Sequence, residues 1–424
     1  MVMILSARAK QRWRRGVRPP SAHASFVPFS LFDGDLVNRL FALLGLGNRR
    51  GLHVIGRSLF LIAITWAPMA WLASAEGLVS LTISARNFFA DFAAYAQFLI
   101  GLPLFVLAEA VVNRNTRDAA HQFLATDIVR PADQPTIQAT HKRIARLRRT
   151  FWSDALCLAI AGLLTWAIWR TELGFAPEVK TWHSNYLPGT GRQLTATGAW
   201  EFFIALPIQM YWWLRMIWKI ALWYLYLLAV SRLRLDLRAT HPDRTGGIGF
   251  VSTVQGKFSL VILAYGISNV AATVGYKMAV EGATLDMPPV YGPLVGFAVI
   301  APVLFTAPLL RFTGQLRVAK ERALRRYREL AMDHVRRTES LLTRDSRANA
   351  GALKTAFADM GGIWKMFEQT HAMRVVPFDW QSFGQLLGST FGSLSTVIPM
   401  LKGAESLQKW FEFVARFFLV LTGH

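Results

Sequence analysis

Apolar residues in this chain gather into six runs, each long enough to cross a bilayer, which takes about 20 residues of helix. The runs are 58–75, 92–112, 151–169, 200–230, 258–280 and 291–310. Polar stretches separate them, so the pattern predicts a bundle of spanning helices rather than a water-soluble core. Pro68, Pro103, Pro293, Pro302 and Pro308 fall inside these runs. Membrane helices tolerate proline where neighbouring helices or waters satisfy the freed carbonyls. The fourth run exceeds what a bilayer needs. The segment 170–199, with Pro177, Pro188 and several glycines, is expected to be irregular.

Helical periodicity continues outside the runs. Residues 136–150 read as a helix leading straight into the third run. Beyond the sixth run, Leu316, Ala323, Tyr327, Leu330 and Val335 recur at near-helical spacing with Arg and Lys between them, the mark of an amphipathic helix. Residues 382–401 are apolar yet rich in Ser and Thr, and carry Gly384, Gly388 and Gly392 at a spacing of four. Small residues let another helix approach closely. This stripe predicts a helix-packing or oligomer-closing surface, on a seventh span or a re-entrant helix. Residues 404–421 set Leu407, Trp410, Phe411, Val414, Phe417 and Phe418 against Lys409, Glu412 and Arg416, an interfacial pattern. A short amphipathic element follows Asp35, with Leu36, Leu40, Leu43 and Leu44.

The expected fold is therefore an all-α integral membrane protein, a bundle of six or seven transmembrane helices with cytoplasmic helical extensions. Its parts are a basic N-terminal segment (1–57), a six-span domain (58–310), a cytoplasmic helical segment (311–380) and C-terminal apolar and amphipathic helices (381–424).

Charge orients this bundle. The chain has 47 Lys and Arg against 26 Asp and Glu, a net charge of +21. In a soluble protein that excess would suggest nucleic acid, but 53% of the residues are apolar and no recognition motif is present. The basic residues alternate instead: eight lie between 113 and 150 and fourteen between 311 and 380, against one in 76–91 and three in 170–199. Basic loops stay on the cytoplasmic side. The alternation therefore places Met1 and the segment 311–380 in the cytoplasm, facing anionic headgroups. Arg12, Arg14, Arg15 and Arg18 precede no apolar stretch with a cleavage site, so no cleaved signal peptide is expected. Cys157, the only cysteine, excludes a disulfide framework within the chain. No metal or cofactor is expected.

Three groups of residues carry candidate chemistry. Arg215 and Lys219 share one helical face in the fourth run. A charge at mid-bilayer costs about 2.5–3.5 kcal/mol on insertion scales. If the span begins at Trp200, both can snorkel to headgroups; if it begins near Ile208, both lie deep and need a partner or a water-filled path. Glu109, late in the second run, lies at matching depth and is expected to pair with one of them, unless Arg114 takes it. In the loop HPDRTGGIGF, Gly246, Gly247 and Gly249 allow backbone N–H groups to converge beside Arg244, forming a candidate anion site. His241 and Asp243 there have the chemistry to hold a cation or relay protons, although a plain turn between helices explains the same residues. The Gly384, Gly388 and Gly392 stripe is the third group. No pair of histidines has metal-ligand spacing, and no Gly-x-Ser-x-Gly elbow is present.

The strings HPDRTGGIGF (241–250) and MRVVPFD (373–379) resemble an uncharacterised group of bacterial polytopic inner-membrane proteins. The order of spans, an acid late in the second and a terminal amphipathic helix are similar too. That resemblance implies a bacterial inner-membrane location and transfers no functional residue. Three function classes stay open. One is permeation or transport of a small anionic solute through Arg215, Lys219 and Glu109, with the glycine stripe closing a homo-oligomer. Another is a membrane-anchored sensor or scaffold acting through residues 311–347. The third is an enzyme on lipid headgroups at the His241–Asp243 loop.

Overall fold

The computed structural model describes residues 29–47, 53–78, 87–126, 128–172, 181–187, 191–280, 287–343 and 350–397. Six of its helices are long and apolar enough to cross a membrane, so the chain is an all-α, multi-pass membrane protein. A short helix α1 (Leu36–Leu43) precedes α2 (His53–Ala75), and α3 (Phe92–Ala125) follows. A basic helix α4 (Gln134–Arg149) leads through Thr150 into α5 (Phe151–Glu172). Next come α6 (Ala196–Ser231), α7 (Gly249–Met278) and α8 (Pro288–Thr306). Then α9 (Thr313–Thr343) and α10 (Ala350–His371) pack on each other, and α11 (Trp380–Leu394) follows.

Burial ranks these spans. In α7, 78% of the most apolar window is buried, against 22% in α2, in α5 and in the span that begins at Pro288. So α7 forms the centre, and exposed residues such as Trp71, Leu163 and Ile300 give the outer helices their lipid-facing surface. Three π-turns interrupt the spans, at Tyr95–Gly101, Glu201–Ala205 and Gly266–Ala271. The first two lie just before Pro103 and Pro207, where the missing N–H breaks the helical ladder and a wider turn absorbs the mismatch. The first and third pack together, and a Cβ on Gly101 would lie 2.4 Å from the Ser268 Cβ.

Two expectations need correcting. The segment 170–199 is not wholly irregular, because β1 (Ser184–Leu187) and β2 (Gly191–Leu194) form an antiparallel hairpin. The glycine stripe lies only in part on the packed face of the C-terminal apolar segment. The helix α11 buries Ser382, Leu386, Ser389, Thr390, Gly392 and Ser393 against the bundle. Its serines meet glycines of α7: a Cβ on Gly266 would lie 1.9 Å from the Ser393 Oγ. Gly384 is exposed with open space around it, Gly388 is half-buried and Gly392 is buried. At 15 residues, α11 is shorter than a span and packs on α7 and α8. The amphipathic pattern at 404–421 lies outside the described residues.

Candidate functional site

Arg57, Glu109, Arg215 and Lys219, buried charges from three of the spans, meet in one place. Asp35 caps α1, accepting the Asn38 N–H at 3.0 Å, which suits its carboxylate to a helix start. The same side chain lies against α6, where Arg215 donates to its Oδ2 from Nη2 at 2.7 Å and from Nε at 3.1 Å. Lys219, one turn further along, reaches that oxygen at 3.0 Å. On its other edge Arg215 donates from Nη1 to Glu109 Oε2 at 2.7 Å. Asn38 ties the two acids together, donating to Asp35 Oδ1 at 3.1 Å and Glu109 Oε1 at 3.0 Å. Arg57 of α2 lies 3.8 Å from Glu109. Beneath them the Phe32 ring sits 5.3 Å from the Arg215 guanidinium and 5.8 Å from the Lys219 ammonium. Asp154, at the head of α5, accepts the Tyr211 hydroxyl at 3.1 Å and the Leu36 N–H at 3.3 Å.

This geometry answers the question of depth. Arg215 and Lys219 are each 1% exposed. They do not snorkel to headgroups, because the acids they need are already inside the bundle. Glu109 pairs with Arg215, as its depth suggested. The expectation did not include Asp35, Asn38 or Arg57. Asp35 stands far from any span in sequence and enters the bundle only because α1 folds back between α3 and α6. Burial by itself pushes the Asp35 carboxyl up, but Arg215 and Lys219 outweigh it and hold it well below the ordinary carboxylate range. Removing one member of a buried ionic cluster costs about 3–5 kcal/mol, because a charge is left uncompensated. The cluster therefore acts as a clamp joining α1, α3 and α6. A cavity of about 70 Å³ beside it is bordered by His53, Arg57 and Glu109, but by neither Arg215 nor Lys219.

The loop after α6 has a different arrangement from the anion cradle its glycines suggested. Its backbone N–H groups do converge, but on the chain's own carboxylate. Asp243 accepts from Thr245 at 2.8 Å, Gly247 at 3.1 Å and Gly249 at 2.9 Å. His241 Nδ1 lies 2.9 Å from the same carboxylate. An incoming anion would meet a filled nest and a like charge. The three N–H groups and His241 hold Asp243 below its usual range despite its burial. Gly246 (φ +68°) and Gly247 (φ +99°) adopt left-handed backbone that side chains disfavour. Arg244 shares that conformation and offers its carbonyl to the Arg374 N–H at 2.7 Å. Arg374 also pairs with Asp379 at 3.2 Å, and the Asp379 N–H donates to Ser252 at 2.9 Å. HPDRTGGIGF and MRVVPFD thus form a single joint between α7 and the segment leading into α11.

The opposite end of the bundle has its own polar cluster. Glu76 caps the start of α6 through Ala196 N–H (2.7 Å), Thr197 N–H (3.2 Å) and the Thr197 hydroxyl (2.7 Å). Glu201 is buried and meets His183 Nδ1 at 2.6 Å. Trp182 stacks on His183 and donates its indole N–H to Asp91 at 2.9 Å. Among the described residues, no group of three or more His, Cys, Asp or Glu is placed to hold a metal ion. No protein-family model matches the chain, and comparison with curated proteins and with solved structures gives no match to either.

Proposed function

We propose that this protein is a membrane-anchored sensor or scaffold of a bacterial inner membrane, acting through the helical layer on its basic side. The observation that carries this reading is the closed cluster around Arg215. Its guanidinium and the Lys219 ammonium already face carboxylates at 2.7–3.0 Å. A solute anion would have to displace Asp35 and Glu109 from a site with almost no exposure. Transport through these residues is therefore disfavoured. The elements free to meet the aqueous phase are α9, α10 and the extended strip after α6. The positive-inside rule puts them in the cytoplasm.

Two measurements test this, one on the full chain reconstituted in vesicles and one in cells. Vesicles containing it are expected to pass chloride and phosphate no faster than protein-free vesicles. A cysteine at Arg326 is expected to react with a membrane-impermeant maleimide only after the cells are opened. Anion flux that disappears in the Arg215→Ala, Lys219→Ala double variant would restore the transport reading, and labelling in intact cells would reverse the orientation.

A further inference from the structure

On the basic side, residues 231–238 read Ser-Arg-Leu-Arg-Leu-Asp-Leu-Arg, a period-two pattern that follows the end of α6. Leu233, Leu235 and Leu237 pack against the core, which turns Arg232, Arg234 and Arg238 outward together. Backbone bonds fix this strip. Val129 and Leu235 form an antiparallel bridge, the Asp236 N–H donates to the Ile128 carbonyl at 2.7 Å and the Arg238 N–H to the Gly246 carbonyl at 3.1 Å. Gln315 of α9 ties its start to the bundle, donating to the Ser231 and Leu233 carbonyls at 2.6 and 3.0 Å. Across from it, α9 presents Arg322 and Arg326 one turn apart, with Tyr327 beside them. Between the two lies an open cleft of about 830 Å³, with Arg130 also on its wall.

Six guanidinium groups line this cleft against the single carboxylate of Asp236. None of the six has an ion pair among the described residues. Elsewhere on the same helix, two exposed arginines do find acids: Arg317 meets Glu321 at 3.1 Å and Arg337 meets Asp333 at 2.8 Å. The positive-inside rule accounts for basic residues on this side, but not for their convergence from three elements onto a walled space. Like charges so gathered repel, and their repulsion is relieved by an anion carrying several charges. The cationic set is entirely arginine. Its planar fork binds phosphate oxygens in pairs, which an ammonium does not do. The volume falls within the range of small-molecule sites.

From this convergence of Arg130, Arg232, Arg234, Arg238, Arg322 and Arg326 on one cleft, we infer a binding site for a ligand bearing two or more phosphate groups. The inference rests on the sensor reading above and names what that layer senses. Two sources share this chemistry: a soluble polyphosphorylated molecule, and the headgroup of a lipid with more than one phosphate. The strip begins directly where α6 ends, so both can reach it.

The test uses the purified full chain in nanodiscs of neutral phosphatidylcholine, titrated calorimetrically with inorganic tripolyphosphate. The wild type is expected to bind, and the Arg234→Ala, Arg322→Ala variant to bind about tenfold more weakly or worse. The Arg317→Ala, Arg337→Ala variant removes the same charge from paired positions and is expected to match the wild type within about twofold. A second set of discs, with about one lipid in five replaced by cardiolipin, separates the sources. Weaker tripolyphosphate binding there, in the wild type but not in the cleft variant, assigns the site to a lipid headgroup; equal binding assigns it to a soluble ligand. Absence of tripolyphosphate binding in neutral discs overturns the inference, as does an equal loss in both double variants. The flux and labelling results would stand in either case.

Discussion

Asp35 and Asp91 are two enclosed carboxylates at opposite ends of the same bundle, and their surroundings push them in opposite directions. Burial raises both. At Asp35 the charges of Arg215 and Lys219 reverse that effect. At Asp91 burial wins over His183, the Trp182 indole N–H and the Ala93 N–H, and the carboxyl is held above its usual range. One end is built around an arginine and a lysine, whereas the other relies on a histidine and neutral donors. The sign of the pH response follows from this difference. A depressed carboxyl adds stability that is complete above its unfolded value, near 3.9, and is lost as pH falls toward the folded value. A raised one does the reverse, and its stability declines as pH rises through the folded value. Asp35 therefore adds no slope above its unfolded value, whereas Asp91 adds stability that declines as pH rises.

Asp35→Asn is expected to have the largest effect. Asparagine is as good a helix cap as aspartate, so the substitution removes charge while leaving the start of α1 intact. Lys219 then loses its carboxylate, and a loss of about 3–5 kcal/mol is expected, read as a lower thermal midpoint in detergent. Adding Lys219→Met is expected to recover part of it. A double variant no more stable than the single one would show that the clamp is not a balanced set of charges. At the other end, Glu76→Ala is expected to cost about 1 kcal/mol, the value of a helix cap. Faster hydrogen exchange at the Ala196 and Thr197 amides should accompany it, with no change near α1. The smallest effect is expected from Asp91→Asn. The wild-type midpoint should fall as pH rises above about 4, and the variant should lose that slope. A slope that persists would place the titrating group elsewhere.

The spans and their order were legible because hydrocarbon imposes a length that composition reveals directly. The pairing of Glu109 with Arg215 was legible as well: depth along two helices is a one-dimensional quantity. Asp35 was not, because its role depends on a short helix folding back between two spans, and no periodicity carries that. The glycine stripe was only partly informative for a related reason. Spacing identifies a face of α11, but not which face meets α7. There the glycines, Gly256 and Gly266, lie on the partner helix, and the serines lie on α11. The loop at 241–250 displayed its converging amides in sequence, but not that Asp243 would turn back to fill them. The alternation at 231–238 is plain in the letters, but only the position of α9 opposite makes it the wall of a cleft.

The attachment of α9 through Gln315 has a mechanical consequence. The helix has 31 residues, about 46 Å at ~1.5 Å per residue, and two hydrogen bonds from one amide fix its base to the end of α6. Over that length, a rotation of about 5° at the base would sweep the far end through roughly 4 Å. An event as local as a ligand drawing Arg322 toward Arg234 would thus register at the tip as a displacement larger than a hydrogen bond is long.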